Sequence, residues 1–411
     1  MNPALPVAVI GAGAAGLMAA IHAAGTGRRV VLLERTRDGG RKILISGGGR
    51  CNVLPGRLDA ARFVSESPPH LVRRLLAEWP LARQRDFFEE RLGIPLALEA
   101  DSGKLFPASN RARDVRDRLV AAARVAGAEL RFGSAVSGVE RSDTGWRVGL
   151  QDQAPVEAGA VIVATGGLSV PSTGSDGFGL ALARRLGHTV RETYPALTPL
   201  VADPAVHAHL SGISLEVRIE ARVRGKRLRS EGGFLFTHRG YSGPSVLDLS
   251  HLAVRSRLAG GERQVLRVAW SCESVEVWNA RLQQRSPRAV LSILREVIPA
   301  RLAEQLVTES RVDGGRQLTQ LSRADRRRLA ELLAAYPLPW TGDEGYRKAE
   351  VTGGGVALEE VDPVTLQSRL RPGIHFCGEV LDAFGPIGGY NFAWAWATGR
   401  TAGLGVSAPA R

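Results

Sequence analysis

Lysine is nearly missing from this sequence. Only Lys42, Lys104, Lys226 and Lys348 stand among 54 basic residues, and the rest are Arg spread along the whole chain. The formal net charge of +13 therefore reads as a solvated surface rather than a gathered patch, and nucleic acid is not expected as the main partner. Cysteine is equally scarce. Cys51, Cys272 and Cys377 are odd in number and form no C-x-x-C, which excludes a disulfide framework and a vicinal redox dithiol, and places the chain in a reducing, cytoplasmic compartment. H-E-x-x-H and EF-hand spacings are also missing, so no metal is expected. The longest nearly uncharged run, Val7 to Gly25, has no basic segment before it and carries spaced glycines and His22. It is expected to be neither a signal nor a membrane span.

What is abundant is glycine, 48 residues in 411, much of it in short clusters. The first cluster explains the uncharged run. Val7 to Ile10 is a short apolar strand, Gly11-Ala12-Gly13-Ala14-Ala15-Gly16 matches G-x-G-x-x-G, and an apolar helix follows to about Ala24. "RRVVLLE" then makes a second strand ending in Glu34, with Arg35 beside it. In this unit the first glycine permits a tight turn and the second lets backbone approach a pyrophosphate. The third allows close helix–strand packing, and the acidic residue accepts from a ribose. The helix start at Ala14 and Ala15 offers unpaired N–H groups to an anion. A dinucleotide is the expected ligand.

The next stretch separates two dinucleotides. An NAD domain would continue into another strand and helix after Glu34, whereas "GRKILISGGGRCN" is a basic, glycine-rich loop. Amides of Ser46, Gly47, Gly48 and Gly49, with Arg41, Lys42 and Arg50 nearby and Cys51-Asn52 completing the run, suit the phosphates and electron-rich ring edge of FAD. No second G-x-G-x-x-G follows Glu34, so any NAD(P)H would visit transiently as a co-substrate rather than occupy its own domain.

Together, "GRKILISGGGRCN", "VIVATGGLSVPSTGSDGFG", "FTHRGYSGP", "VTGGGV" and "GEVLDAFGPIGGYNFAWAWATG" resemble the HI0933-like family of bacterial NAD(P)/FAD-dependent oxidoreductases, over about residues 7 to 404. Its members carry labels such as aminoacetone oxidase and bile-acid enone reductase. The resemblance implies an α/β fold, an FAD-binding Rossmann-like (two-dinucleotide-binding type) domain with an inserted β-rich, barrel-like domain and a small helical subdomain. On that reading the FAD domain comprises residues 1–191 and 353–411, the β-rich insert 192–273 and 337–352, and the helical subdomain 274–336. It further implies that the main chain of Val136 meets the adenine and that Thr165-Gly166 returns the chain to the cofactor. Gly378-Glu379 would bind a ribityl hydroxyl. Gly388-Gly389-Tyr390-Asn391 would open a helix whose N–H groups face the flavin N1/O2 edge.

Catalytic groups are not marked. His238 and Tyr241, in "FTHRGYSG" of the insert, are weak candidates to orient or protonate a substrate. Cys51 reads as a small packing residue beside Arg50, and Asp176 as the N-cap of the helix that runs to about Leu186. The expected activity is FAD-dependent oxidation of an amine or α-amino ketone, or reduction of an enone, on a small-molecule substrate where FAD and insert domains meet. The missing nicotinamide domain tilts this toward oxidase chemistry. The alternative, raised by the charge, is a flavin-dependent RNA-modifying or RNA-binding protein. No oligomeric state is assigned.

Overall fold

A computed structural model describes residues 5–407. The chain forms two compact units, Met1–Pro195 with Glu350–Arg411, and Ala196–Ala349.

The first unit is built on a five-stranded parallel sheet. Its order is Ile374–Phe376, Ala160–Val163, Val7–Ile10, Val30–Glu34 and Ala128–Phe132. Register runs unbroken, Val7 opposite Ala160 on one side and Val30 on the other. Strands buried on both faces need continuous apolar runs, and "VAVI", "VVLL" and "AVIV" supply them. The helix Ala14–Ala24 follows the first strand and is buried along almost its whole length. Its packing partner is the closing helix Tyr390–Gly405, in which glycines at 399 and 403 replace side chains that have no room. A Cβ at Gly399 would lie 2.4 Å from the Ala15 carbonyl oxygen, and one at Gly403 2.5 Å from that of Ala19. A three-stranded antiparallel sheet (Val136–Arg141, Trp146–Leu150, Gln153–Ala158) and the hairpin Leu96–Glu99/Lys104–Pro107 complete this unit with helices such as Ala112–Val125.

The second unit carries a seven-stranded antiparallel sheet whose long members are Ser214–Val223 and Lys226–Phe236. Residues 192–273, expected to be β-rich, also hold a helix. Pro244–Leu258 is a 15-residue helix. Its apolar residues 246, 247, 249, 253 and 254 follow a 3.6-residue period, and proline sits at its first turn, where no N–H is needed. Helices Val275–Leu282, Ala300–Ser310 and Arg323–Ala334 share one core with the sheet, centred on Trp270, Trp278, Phe234 and Leu306.

Candidate functional site

A cavity of 930 Å³ opens in the first unit, at the carboxyl ends of the strands Val7–Ile10 and Val30–Glu34. That is where ligands bind in open α/β sheets. Its size is at the upper end for small-molecule sites.

The first turn explains one wall. Gly11 adopts φ +100°, and a Cβ there would sit 2.6 Å from the Ala164 carbonyl oxygen. Gly16 has still less room, because a Cβ would come within 1.8 Å of the Gly11 oxygen. Gly13 is different. Its φ of −75° suits any residue, and an added Cβ meets no protein atom within 4 Å. The space in front of Gly13 is cavity, left open for something other than protein. The helix starting at Ala14 has no side-chain cap, so its first N–H groups face that space with a positive dipole end.

Glu34 lines the same wall and clamps the turn. One carboxylate oxygen accepts from the Ala12 N–H at 2.8 Å, the other from the Thr36 N–H at 2.8 Å and the Thr36 hydroxyl at 2.7 Å. A carboxylate has about four acceptor sites, so one remains for a ribose hydroxyl. Across the cavity, the "GRKILISGGGRCN" segment forms a short helix, Arg41–Ile45, followed by a turn in which Gly47, Gly48 and Gly49 all take positive φ (55°, 67° and 84°). A side chain would strain each of these, and a Cβ at Gly48 would again point into open space.

The floor is a polar network that joins distant parts of the chain. The Lys42 ammonium donates to the Ser169 hydroxyl at 2.6 Å and to Glu379 at 2.8 Å. Glu379 also accepts from the Ser169 hydroxyl and, at 3.0 Å, from the Thr352 N–H. Burial opposes ionisation of Glu379, but Lys42 and these donors outweigh it and hold the carboxyl below its usual range. The Thr352 hydroxyl accepts from the N–H groups of Leu168 and Ser169, fixing the turn after Ala160–Val163. Asn52, with its amide oriented so that oxygen faces the Gly389 N–H at 2.9 Å, ties the glycine-rich loop to the start of the closing helix. Asn391 holds Gly385 by two hydrogen bonds of 2.9 Å.

The cavity wall gathers Gly11, Gly13, Ala14, Ala15, Glu34, Arg35, Arg41, Lys42, Ser46, Gly47, Gly48, Arg50, Asn52, Val136, Thr165, Gly166, Gly378, Glu379, Gly389 and Asn391. Four expected residues lie off it. Gly16 acts by packing, and Gly49 only turns the chain. Cys51 is fully buried, and burial pushes its thiol up to about 12, so it is a packing residue. Tyr390 is turned away from the cavity, its ring against Phe63 and its hydroxyl accepting from Arg62 at 3.3 Å. Asp176 is not an N-cap. That place belongs to Gly177, while Asp176 accepts from the Phe178 N–H and pairs with Arg35.

In the second unit, Tyr241 has no exposed surface. Its hydroxyl lies 2.9 Å from His207 Nδ1, and burial raises its ionisation far above the usual range. It is a core residue with no side open to a substrate. His238 occupies the exposed turn between Lys226–Phe236 and Gly240–Ser242.

Sequence reasoning missed several wall residues: Lys104, Phe106, Gln151, Glu350 and Trp394. One signal was available. Two of the four lysines, Lys42 and Lys104, line this cavity in a chain that otherwise uses arginine. The Trp394 indole N–H donates to the Gly378 carbonyl at 3.1 Å, holding the turn that carries Glu379.

The HI0933-like protein Rossmann domain family matches residues 5–405. The chain belongs to that family. It is an FAD-dependent oxidoreductase with a Rossmann-like FAD-binding fold. A ribosomal RNA dihydrouridine synthase of Haemophilus influenzae is 35% identical over 97% of this chain and 98% of its own length. A 3-dehydro-bile acid delta(4,6)-reductase of Clostridium scindens is 31% identical over 97% of this chain and 98% of its own. Among solved structures, a 3-ketosteroid-delta4-(5alpha)-dehydrogenase of Rhodococcus jostii RHA1 superposes with a TM-score of 0.51 at 14% identity, covering 98% of this chain and 96% of that one. At that identity the likeness speaks for the fold.

The cavity fits FAD on the structure's own terms. The space before Gly13 and Gly48, the uncapped helix start and the Lys42–Glu379 pair supply backbone donors, positive potential and a hydroxyl acceptor.

Proposed function

We propose that this protein reduces a carbon–carbon double bond conjugated to a carbonyl, and that its substrate is a uracil base in RNA. The observation that carries this is a shared chemistry. The two relatives are named for making dihydrouridine and for reducing the delta(4,6) bonds of a 3-dehydro-bile acid. Uracil C5=C6 lies next to the C4 carbonyl, just as a steroid 4-ene lies next to a 3-ketone. Both reductions add a hydride at the carbon remote from the carbonyl and a proton at the adjacent one. In balanced form, NAD(P)H, a proton and the alkene give NAD(P)+ and the saturated product. This replaces the emphasis on oxidation that the missing nicotinamide domain suggested, while NAD(P)H remains a visiting co-substrate.

FAD, when bound, would relay the hydride between the two substrates. The chain's own residues bind and orient. Gly11, Gly13 and the helix from Ala14 would hold the pyrophosphate, Glu34 the adenosine ribose, and Glu379, kept ionised by Lys42, a ribityl hydroxyl. The Tyr390–Gly405 helix start would turn its positive end toward the ring and favour negative charge there without a titrating side chain.

The choice of RNA over a small enone is supported by the greater identity to the dihydrouridine synthase and by the +13 charge, which suits a polyanion. The second reading, a steroid-like enone, rests on the bile acid reductase. Anaerobic incubation of holoenzyme and NADPH with unmodified ribosomal RNA transcript, or with a 3-keto-4-ene steroid, separates them. Dihydrouridine in the digested RNA, matched by NADPH loss, is expected. Turnover of the steroid with none of the RNA would overturn the RNA reading and favour the second.

A further inference from the structure

We propose that the tip of the β-ribbon formed by Ser214–Val223 and Lys226–Phe236 binds the phosphate backbone of RNA. The proposal rests on the reading of an RNA substrate given above. "ARVRGKRLRS", residues 221–230, carries Arg222, Arg224, Lys226, Arg227 and Arg229 and no acidic residue. Among the described residues, no other strand pairs with this part of the ribbon. Ser214–Val223 meets its second neighbour only at residues 218–220, and Lys226–Phe236 meets its own only at 235–236. Residues 224–229 are all exposed.

The arrangement is unfavourable in isolation. Arg222 stands directly opposite Arg227 across the ribbon, and like charges in that position destabilise a strand pair. Among the described residues, Arg222, Arg224 and Lys226 have no ion pair or side-chain hydrogen bond. Arg227 and Arg229 reach Glu220 and Glu231 only at 3.7 Å, with side chains 62% and 63% exposed. The contrasting case is the run Arg326-Arg327-Arg328. There Arg326 donates to the Leu321 carbonyl, Arg327 pairs with Glu331, and Arg328 with Asp325 and the Ser310 carbonyl. Every side chain of that run has a partner within the fold; three of the five on the ribbon have none.

An anion is the missing partner, and the side chains say which kind. Four of the five cations are Arg, whose planar fork pairs with phosphate through two N–H groups and stacks on exposed bases. The only large apolar side chain exposed here is Leu228, at 38%, too little to seat the ribbon in a lipid surface.

The test uses full-length holoprotein and a fluorescein-labelled ribosomal RNA transcript, comparing wild type with R222Q/R224Q/K226Q/R227Q by anisotropy across a salt series. Each lost phosphate contact should remove about 0.7–0.9 from the slope of log K against log salt, so the quadruple variant should lose about 3 and bind at least tenfold more weakly at ~50 mM salt. Its KM for RNA should rise while kcat at saturating RNA holds. Should the quadruple variant lose its flavin band, the single changes Arg222→Gln and Arg224→Gln carry the test, each lowering the slope by about 0.7–0.9. Unchanged slope and affinity in a wild type that does bind RNA would overturn the ribbon proposal and leave the function standing. Failure of wild type to bind RNA would overturn both. Ribbon-dependent binding to phosphatidylserine vesicles with none to RNA would overturn the choice of partner.

Discussion

Gly13 and Gly16 stand three residues apart, yet the same added methyl should do opposite things at each. At Gly13 a Cβ meets no protein atom within 4 Å, and the backbone is already in a region open to alanine. Gly13→Ala should therefore keep the apoprotein as stable as wild type, or gain up to about 0.5 kcal/mol, while weakening FAD binding at least tenfold. Thermal melts of apoprotein and flavin titration check this; equal flavin affinity would remove Gly13 from the cofactor wall. At Gly16 the methyl would lie 1.8 Å from the Gly11 oxygen, so Gly16→Ala should cost about 3 kcal/mol in the apoprotein itself. The sequence pattern assigned ligand approach to Gly13 and packing to Gly16, and both assignments are local, since the atom that crowds Gly16 is the Gly11 carbonyl oxygen of the same turn.

Lys42 and Glu379 give a second residue-scale prediction. Their side chains are 27% and 16% exposed, so Lys42→Met leaves a half-buried carboxylate without its cation and should cost about 2 kcal/mol at neutral pH. The sign with pH follows. The folded carboxyl is held below its ordinary 4.5, so its contribution is present above pH 4.5 and fades as pH falls through the folded value. The gap in stability between wild type and Lys42→Met, read by urea melts from pH 7 to pH 3, should be largest at neutral pH and narrow below about 4.5. A gap independent of pH would contradict an ionised Glu379.

Among the elements, the contact of the first and closing helices positions both ends of the cavity. Gly399 and Gly403 leave 2.4 and 2.5 Å to the facing carbonyls, so Gly403→Leu must separate the helices. It should lower stability by about 3 kcal/mol and release flavin at the same time, since Ala14–Ala15 and Gly389–Asn391 would shift together. Loss of stability with full flavin retention would show that the two walls are independent. Here the legibility of the sequence was uneven. Strands such as "VAVI" and "AVIV" were plain from their apolar runs, as was the turn from its glycines. Helix Pro244–Leu258 was not, because its polar residues Asp248, Ser250 and His251 blur the period inside a strand-rich region. The roles of Ser169 and Thr352 were invisible for another reason. Their hydroxyls act through partners far along the chain, Ser169 with Lys42 and Glu379 at separations of 127 and 210 residues, and Thr352 with Leu168 at 184.

For the whole molecule, the charge is the property most easily misread. A count of +13 spread over the chain suggested a solvated surface, and in Arg326-Arg327-Arg328 two of the three cations do pair with carboxylates of the same helix. Only the strand register set Arg222 against Arg227, which no count could show. The same holds for the cavity, whose wall draws on residues from Ile10 to Ala395. Those parts must make one elongated site that grips the adenosine end through Glu34 and Val136 and the ring end through Glu379 and Gly389. Equilibrium titration of the deflavinated protein with FAD and with FMN measures this directly. One FAD per chain is expected, with FMN, which lacks the adenosine half, bound at least a hundredfold more weakly, a difference of about 2.7 kcal/mol. Equal affinity for the two would mean that the walls around residues 13, 34 and 136 hold nothing, and would contradict the account.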